Sequence, residues 1–191
     1  MAKHFVEEEN FDKINFSEVP PEKGEYENCT FNNCNFSESD LSAIVFTECV
    51  FIGCNLTLAK INQTAFRDVK FKDCKGVGLH FDYCNEFRIS FSFENCTLNL
   101  SSFYNLKLKK VHFKNCSLHE VDFSNTDLNM AKFENCDLTN AIFDNSILEK
   151  ADLSTAVNYI LDPERNYIKG AKFSIEGIYG LLQKYEIEIE P

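Results

Sequence analysis

Tryptophan is absent from this sequence, and so are the features that would place the chain in several large functional classes. No apolar run approaches the roughly 18 residues that a membrane-spanning helix requires. The opening MAKHFVEEEN carries acid where a secretory leader would carry its apolar stretch, so a cytoplasmic protein is expected. No Walker-type phosphate loop occurs, and Gly76 and Gly78 in KGVGLHF do not make a dinucleotide fingerprint. Common zinc-ligand spacings are missing, because no CxxC pair stands near a histidine. His4, His80, His112 and His119 are scattered, without an evident nucleophile beside any of them. Positive charge is also scarce: 19 Lys and Arg face 30 Asp and Glu, a formal net charge of -11. Such a surface repels nucleic acid and anionic membrane and favours a basic partner. No catalytic residue, cofactor site or metal site is assigned.

What the sequence has is phenylalanine at a fixed interval. Large apolar residues recur every five positions from Phe11 through Phe16, Tyr26, Phe31, Phe36, Leu41, Phe46 and onward to Phe81. The frame slips by two residues and resumes as Phe93, Leu98, Phe103, Leu108, Phe113, Leu118, Phe123, Leu128, Phe133, Leu138, Phe143, Leu148 and Leu153. It returns once more at Ile168, Phe173 and Ile178, and 16 of the 19 Phe occupy this one position. Two residues before each centre stands a small side chain, and all 9 cysteines are there, Cys96, Cys116 and Cys136 among them. Neither a helix of period 3.6 nor a strand of period two produces this spacing; a solenoid does.

If each pentapeptide forms one side of a square coil, four sides close a turn in twenty residues, and residues twenty apart stack at about 4.8 Å. The segments FENC, FKNC and FENC at 93–96, 113–116 and 133–136 are then one face repeated. Phe103, Phe123 and Phe143 line the opposite face, with leucine columns (Leu98, Leu118, Leu138 and Leu108, Leu128, Leu148) between them. Asn95, Asn115 and Asn135, and across the coil Asn105, Asn125 and Asn145, fall where corners need residues tolerant of turn conformations, so two asparagine ladders are expected. In this reading the cysteines are compact core hydrophobes rather than ligands or disulfides. Pro20 and Pro21 break the frame and imply a ragged first coil.

Units such as CDLTN, AIFDN and ADLST resemble the A(D/N)LXX motif of the pentapeptide-repeat family. The resemblance implies an all-β, right-handed quadrilateral β-helix. The ending LDPERNYIKGAKFSIEGIYGLLQKYEIEIEP is similar to that of the Qnr group of fluoroquinolone-resistance proteins, in which a last coil, a short helix and a β tail build a dimer. The expected organisation is a solenoid over 1–155, with the register shift near 86–92, followed by a last coil and a capping or dimerising tail over 156–191. Ser174 is placed to cap a helix carrying Ile175, Ile178, Leu181, Leu182 and Tyr185 at helical spacing. Ile187 and Ile189 alternate with acids in a final strand. These seven apolar residues form the expected dimer interface, with a simple end cap as the alternative.

Function then lies on the outer faces. Glu94, Glu120, Asp122, Asp127, Glu134, Asp137, Asp144 and Asp152 form the candidate acidic partner surface. The Qnr resemblance implies a DNA mimic that engages the DNA-binding saddle of a type II topoisomerase, DNA gyrase or topoisomerase IV, and shields it from quinolones. A general interaction scaffold with another partner is the alternative. A continuous acidic band along the long axis would favour mimicry, and patches broken by Lys107, Lys109 and Lys110 would favour the scaffold.

Overall fold

The structure is a computed structural model and describes residues 4–188. It is a right-handed quadrilateral β-helix of about 8 turns. The strands are β1 (His4–Glu7), β2 (Asn10–Asp12), β3 (Gly24–Glu27), β4 (Thr30–Asn32), β5 (Val45–Thr47), β6 (Val50–Ile52), β7 (Ala65–Arg67) and β8 (Val69–Lys72). After these come β9 (Phe91–Glu94), β10 (His112–Lys114), β11 (Lys132–Glu134), β12 (Asp152–Leu153) and β13 (Lys172–Phe173). All pair in parallel, in a sheet β1-β3-β5-β7 and a nine-stranded sheet running from β2 to β13. Except across the slip, partners stand twenty residues apart, as in Phe31↔Phe51 and Phe113↔Phe133, which is the closure the five-residue period implies.

The core is the stack of centres. Phe93, Phe113 and Phe133 lie ring over ring at 5.3 Å, and Phe103, Phe123 and Phe143 do so at 5.3 and 5.2 Å. The two columns meet edge to face across the coil, Phe103 on Phe113 at 5.6 Å, the arrangement that ring quadrupoles favour. Leu98, Leu118 and Leu138 close a third side and are buried. The three phenylalanines outside the period have different fates: Phe5 and Phe87 are exposed, while Phe91 fills an inner position just after the slip.

The small residue two before each centre follows a corner and points inward under it. Its side chain donates to the carbonyl of a centre one coil back: Cys116 Sγ to Phe93 O, Thr126 Oγ1 to Phe103 O, Ser146 Oγ to Phe123 O. Apolar Leu106, Val111 and Val121 are buried at the same position elsewhere; cysteine there joins small apolar volume to a weak donor. All nine cysteines are buried and free. The column containing Cys96, Cys116 and Cys136 continues back across the slip to Cys74, because β8 and β9 pair Phe71 with Phe93.

Corners depart from the expectation in one respect. From Asn28 to Asp73, and again from Asn95 to Lys150, every fifth residue has φ between 51° and 64°. Leu100, Lys110, Glu120 and Met130 adopt this left-handed conformation as asparagine does, against a cost of about 1–2 kcal/mol each. The cost is offset by the next coil, since the N–H of each of these four corners is held by a carbonyl above it, as in Leu100 N to His119 O at 2.9 Å. Asn95, Asn115 and Asn135 do form a side-chain ladder with bonds of 2.9 and 3.1 Å. Among the described residues no such ladder joins Asn105, Asn125 and Asn145.

The register shift falls where the frame slips. Asn85 N still donates to Thr64 O, 21 residues back, but Thr97 N reaches Cys74 O, 23 back. The two extra residues leave the wall in a turn closed by Ile89 N on Glu86 O. Gly76 takes a centre position, and the vacated volume is filled by Leu79, whose Cδ1 would stand 2.7 Å from a Cβ there. The first coil is more regular than its prolines suggest: β1 and β2 pair at twenty residues, and only the side through Pro20 is irregular. Likewise Val157 and Tyr167, past the expected end of the main solenoid at 155, keep the same offset to Asp137 and Ile147.

The chain then turns into a short helix, α1 (Tyr179–Leu182), flanked by single 3-10 turns. Ser174 Oγ accepts from Gly177 N at 2.9 Å, the expected cap. The expected final strand is absent among the described residues: Glu186, with φ of 50°, ends the helical run, and 186–188 meet no strand edge to pair with. Ile189 lies outside the described residues.

Candidate partner-binding surface

Four of the eight candidate acids stand immediately before a centre, and there they are structural. Asp122, Asp127, Asp137 and Asp152 each accept, through Oδ1, the N–H two residues on, at 2.8–3.1 Å. This is an Asx turn, which organises the corner that follows. Asp40 does the same with Ser42, and these bonds together with Lys23 at 3.0 Å hold its carboxyl down at about 2. At Asp137, burial acts to raise the carboxyl, but hydrogen bonds from Thr139, Asn158 and His119 outweigh it and hold the group well below the usual range.

Six of the eight are also paired with a cation or a histidine, mostly from a neighbouring coil. Glu94 meets Lys114 at 3.0 Å, Glu134 meets His112 at 3.1 Å, and Asp137 meets His119 at 2.9 Å. Asp127 meets Lys109 at 3.4 Å, Asp144 meets Arg165 at 2.7 Å, and Asp152 meets Lys172 at 3.5 Å. Glu120 sits at a corner. The eight are dispersed: Glu94, Glu134 and Asp152 lie beside the Phe93 column, Asp122 and Asp144 beside the opposite Phe123 column, and the rest on the other two walls. The structure does not join them into a continuous band. The densest acid is elsewhere, at the first coil, where Glu7, Glu8 and Glu9 follow one another and Glu7 pairs in register with Glu27. The run VEEEN was its signal in the sequence.

The terminal segment divides the seven predicted interface residues. Ile175 is 85% exposed, and Ile178, Tyr185 and Ile187 are also exposed. Leu181 is buried and belongs to the core, and Leu182 is half-buried. The helix is held on its own last coil by Leu161 N to Gly180 O at 3.0 Å and by Lys184 to Asp162. Between helix and coil lies an open cavity of about 810 Å³ lined by Tyr159, Ile160, Tyr179, Leu182 and Ile187 among others. Sequence reasoning missed the apolar walls nearby. Ile142 stacks on Asp122 and Val157 on Asp137, and both are exposed. An outward position that carries acid in one coil thus carries a β-branched apolar residue in the next.

No group of His, Cys, Asp or Glu able to hold a metal ion occurs among the described residues. None of their helices is long and apolar enough to cross a membrane.

Comparison with known proteins agrees with this geometry. A family model described as the pentapeptide repeat region matches residues 25–92 and 89–156. A trypsin-treated variant of QnrB1, a plasmid-mediated fluoroquinolone resistance protein, superposes with a TM-score of 0.63 at 18% identity, covering 97% of both chains. Full-length QnrB1 gives 0.54 at 17% identity, covering 97% of this chain and 100% of that one. HetL, a pentapeptide repeat protein involved in heterocyst differentiation regulation from the cyanobacterium Nostoc, gives 0.42 at 15% identity, covering 90% of this chain and 84% of its own. No curated protein matches the sequence.

Proposed function

Since the chain belongs to the pentapeptide-repeat family, we propose that it is a non-enzymatic rod that binds a type II topoisomerase, DNA gyrase or topoisomerase IV, and protects it from fluoroquinolones. The observation that carries this reading is the extent of its likeness to QnrB1, which spans 97% of both chains and so includes the terminal helix as well as the coils. An acidic chain of net charge -11 has the right sign to meet a DNA-binding saddle. The rod works as a homodimer: Ile175, Ile178, Tyr185 and Ile187 leave apolar surface exposed on the terminal segment, which association would cover.

A second reading, an interaction scaffold for another protein, is favoured by the charge map. Lys107, Lys109 and Lys110 interrupt one wall, and four of the eight candidate acids are paired with a lysine or arginine.

The deciding experiment is a gyrase supercoiling assay with and without a fluoroquinolone, at micromolar protein. Relief of drug inhibition by the wild type, lost in Ile175→Asp/Ile187→Asp, supports the dimeric protector. These sites are preferable to Leu181, whose replacement would damage the core. No effect in either direction favours the scaffold.

A further inference from the structure

The two ends of the solenoid are finished differently. At the far end α1 lies over the last coil and places Leu181 in the core. At the near end nothing among the described residues covers the first coil. β1 and β2 each have a single neighbour, so one edge of each offers unpaired N–H and C=O groups. Val6 and Phe11 are half-buried, whereas their stacked successors Tyr26 and Phe31 are 3% and 0% exposed. Under them opens a cavity of about 570 Å³ floored by Val6, Phe11, Phe16, Pro21 and Tyr26.

The rim of this cup is acidic. Glu7, Glu8, Glu9, Asp12, Glu18 and Glu22 stand on the first coil. Against them are His4, 3.1 Å from Glu22, Lys13, 3.9 Å from Asp12, and Lys23, which is engaged by Asp40 of the next coil at 3.0 Å. A second copy meeting this end head-on would set acid against acid. We infer that the first coil docks an extended segment of a partner protein, alternating basic and apolar residues, which adds a rung to the solenoid. Strand addition along β1, the strand beside Glu7, Glu8 and Glu9, satisfies its open edge. A strand turns alternate side chains to opposite sides, so its apolar residues enter the cup while its lysines or arginines face the glutamates.

The test uses the full chain and a fluorescent peptide alternating lysine and valine, with a lysine–serine peptide of equal charge as control. Anisotropy is expected to show binding to the lysine–valine peptide that is about tenfold or more tighter than to the control. Glu7→Lys/Glu9→Lys, both exposed and so compatible with folding, should weaken it by about tenfold or more. Hydrogen exchange should slow in 4–12 and be unchanged around α1. Equal binding of both peptides, no binding, or protection elsewhere would overturn the inference. So would self-association of the unliganded chain that protects 4–12, which would assign the cup to a second copy.

Discussion

Phe113 touches rings above, below and across the coil, Phe93, Phe133, Phe103 and Phe123, with no water-accessible surface. Phe113→Ala should therefore cost about 3–5 kcal/mol in chemical denaturation, as a cavity bounded by rigid backbone cannot collapse. An unchanged midpoint would contradict the stacking. The turn aspartates carry a pH dependence. Folding holds Asp40 at about 2 through its bonds to Ser42 and Lys23, and lowers Asp137, Asp152 and Asp162 as well. Their unfolded values lie near 4, so the stability they contribute is complete above that pH and is lost as pH falls from about 4 toward 2. A melting series over that range should show a steep decline that Asp40→Asn and Asp137→Asn together make shallower, with some stability lost at neutral pH.

The terminal helix seats through contact between two backbones. A Cβ at Gly180 would collide with the carbonyl oxygen of Tyr159, and one at Gly177 with the Tyr159 hydroxyl. Gly180→Ala improves helix propensity yet should lower stability by about 1–3 kcal/mol, because the helix must lift from the coil. Hydrogen exchange should quicken at Leu161, whose N–H bonds to Gly180 O. A more stable variant would mean that the helix does not sit as described. The slip at 86–90 is the opposite sort of element: its excess is expelled to solvent, with the Arg67 guanidinium 5.9 Å from the Phe87 ring, and the coils on either side stay in parallel register.

Across the whole molecule the interior is one continuous column, so no inner position opens without disturbing its neighbours above and below. The thiols report on this. Burial pushes Cys49 up to about 12, and all nine are at most 5% exposed. None should react with a thiol reagent at neutral pH in the native state, and all should react together when denaturant unfolds the chain. Stepwise labelling of Cys29 and Cys34 ahead of the rest would show instead that the solenoid frays from its first coil.

The five-residue period by itself determined the coil, its closure at twenty residues, the stacking of like centres, the inward cysteines and the place of the slip, because each depends on spacing along the chain. Asn95, Asn115 and Asn135 were legible as a ladder for the same reason. The left-handed corners at Leu100 and Met130 were not, since they follow from hydrogen bonds offered by the coil above, which override residue preference. The acids were read as free surface, yet Asp127 and Asp144 find cations on neighbouring coils, and Asp122 is engaged by its own turn. Whether Leu181 faces core or solvent, and which end of the rod stays open, was decided only when the helix docked, because helical spacing defines a face without saying what covers it.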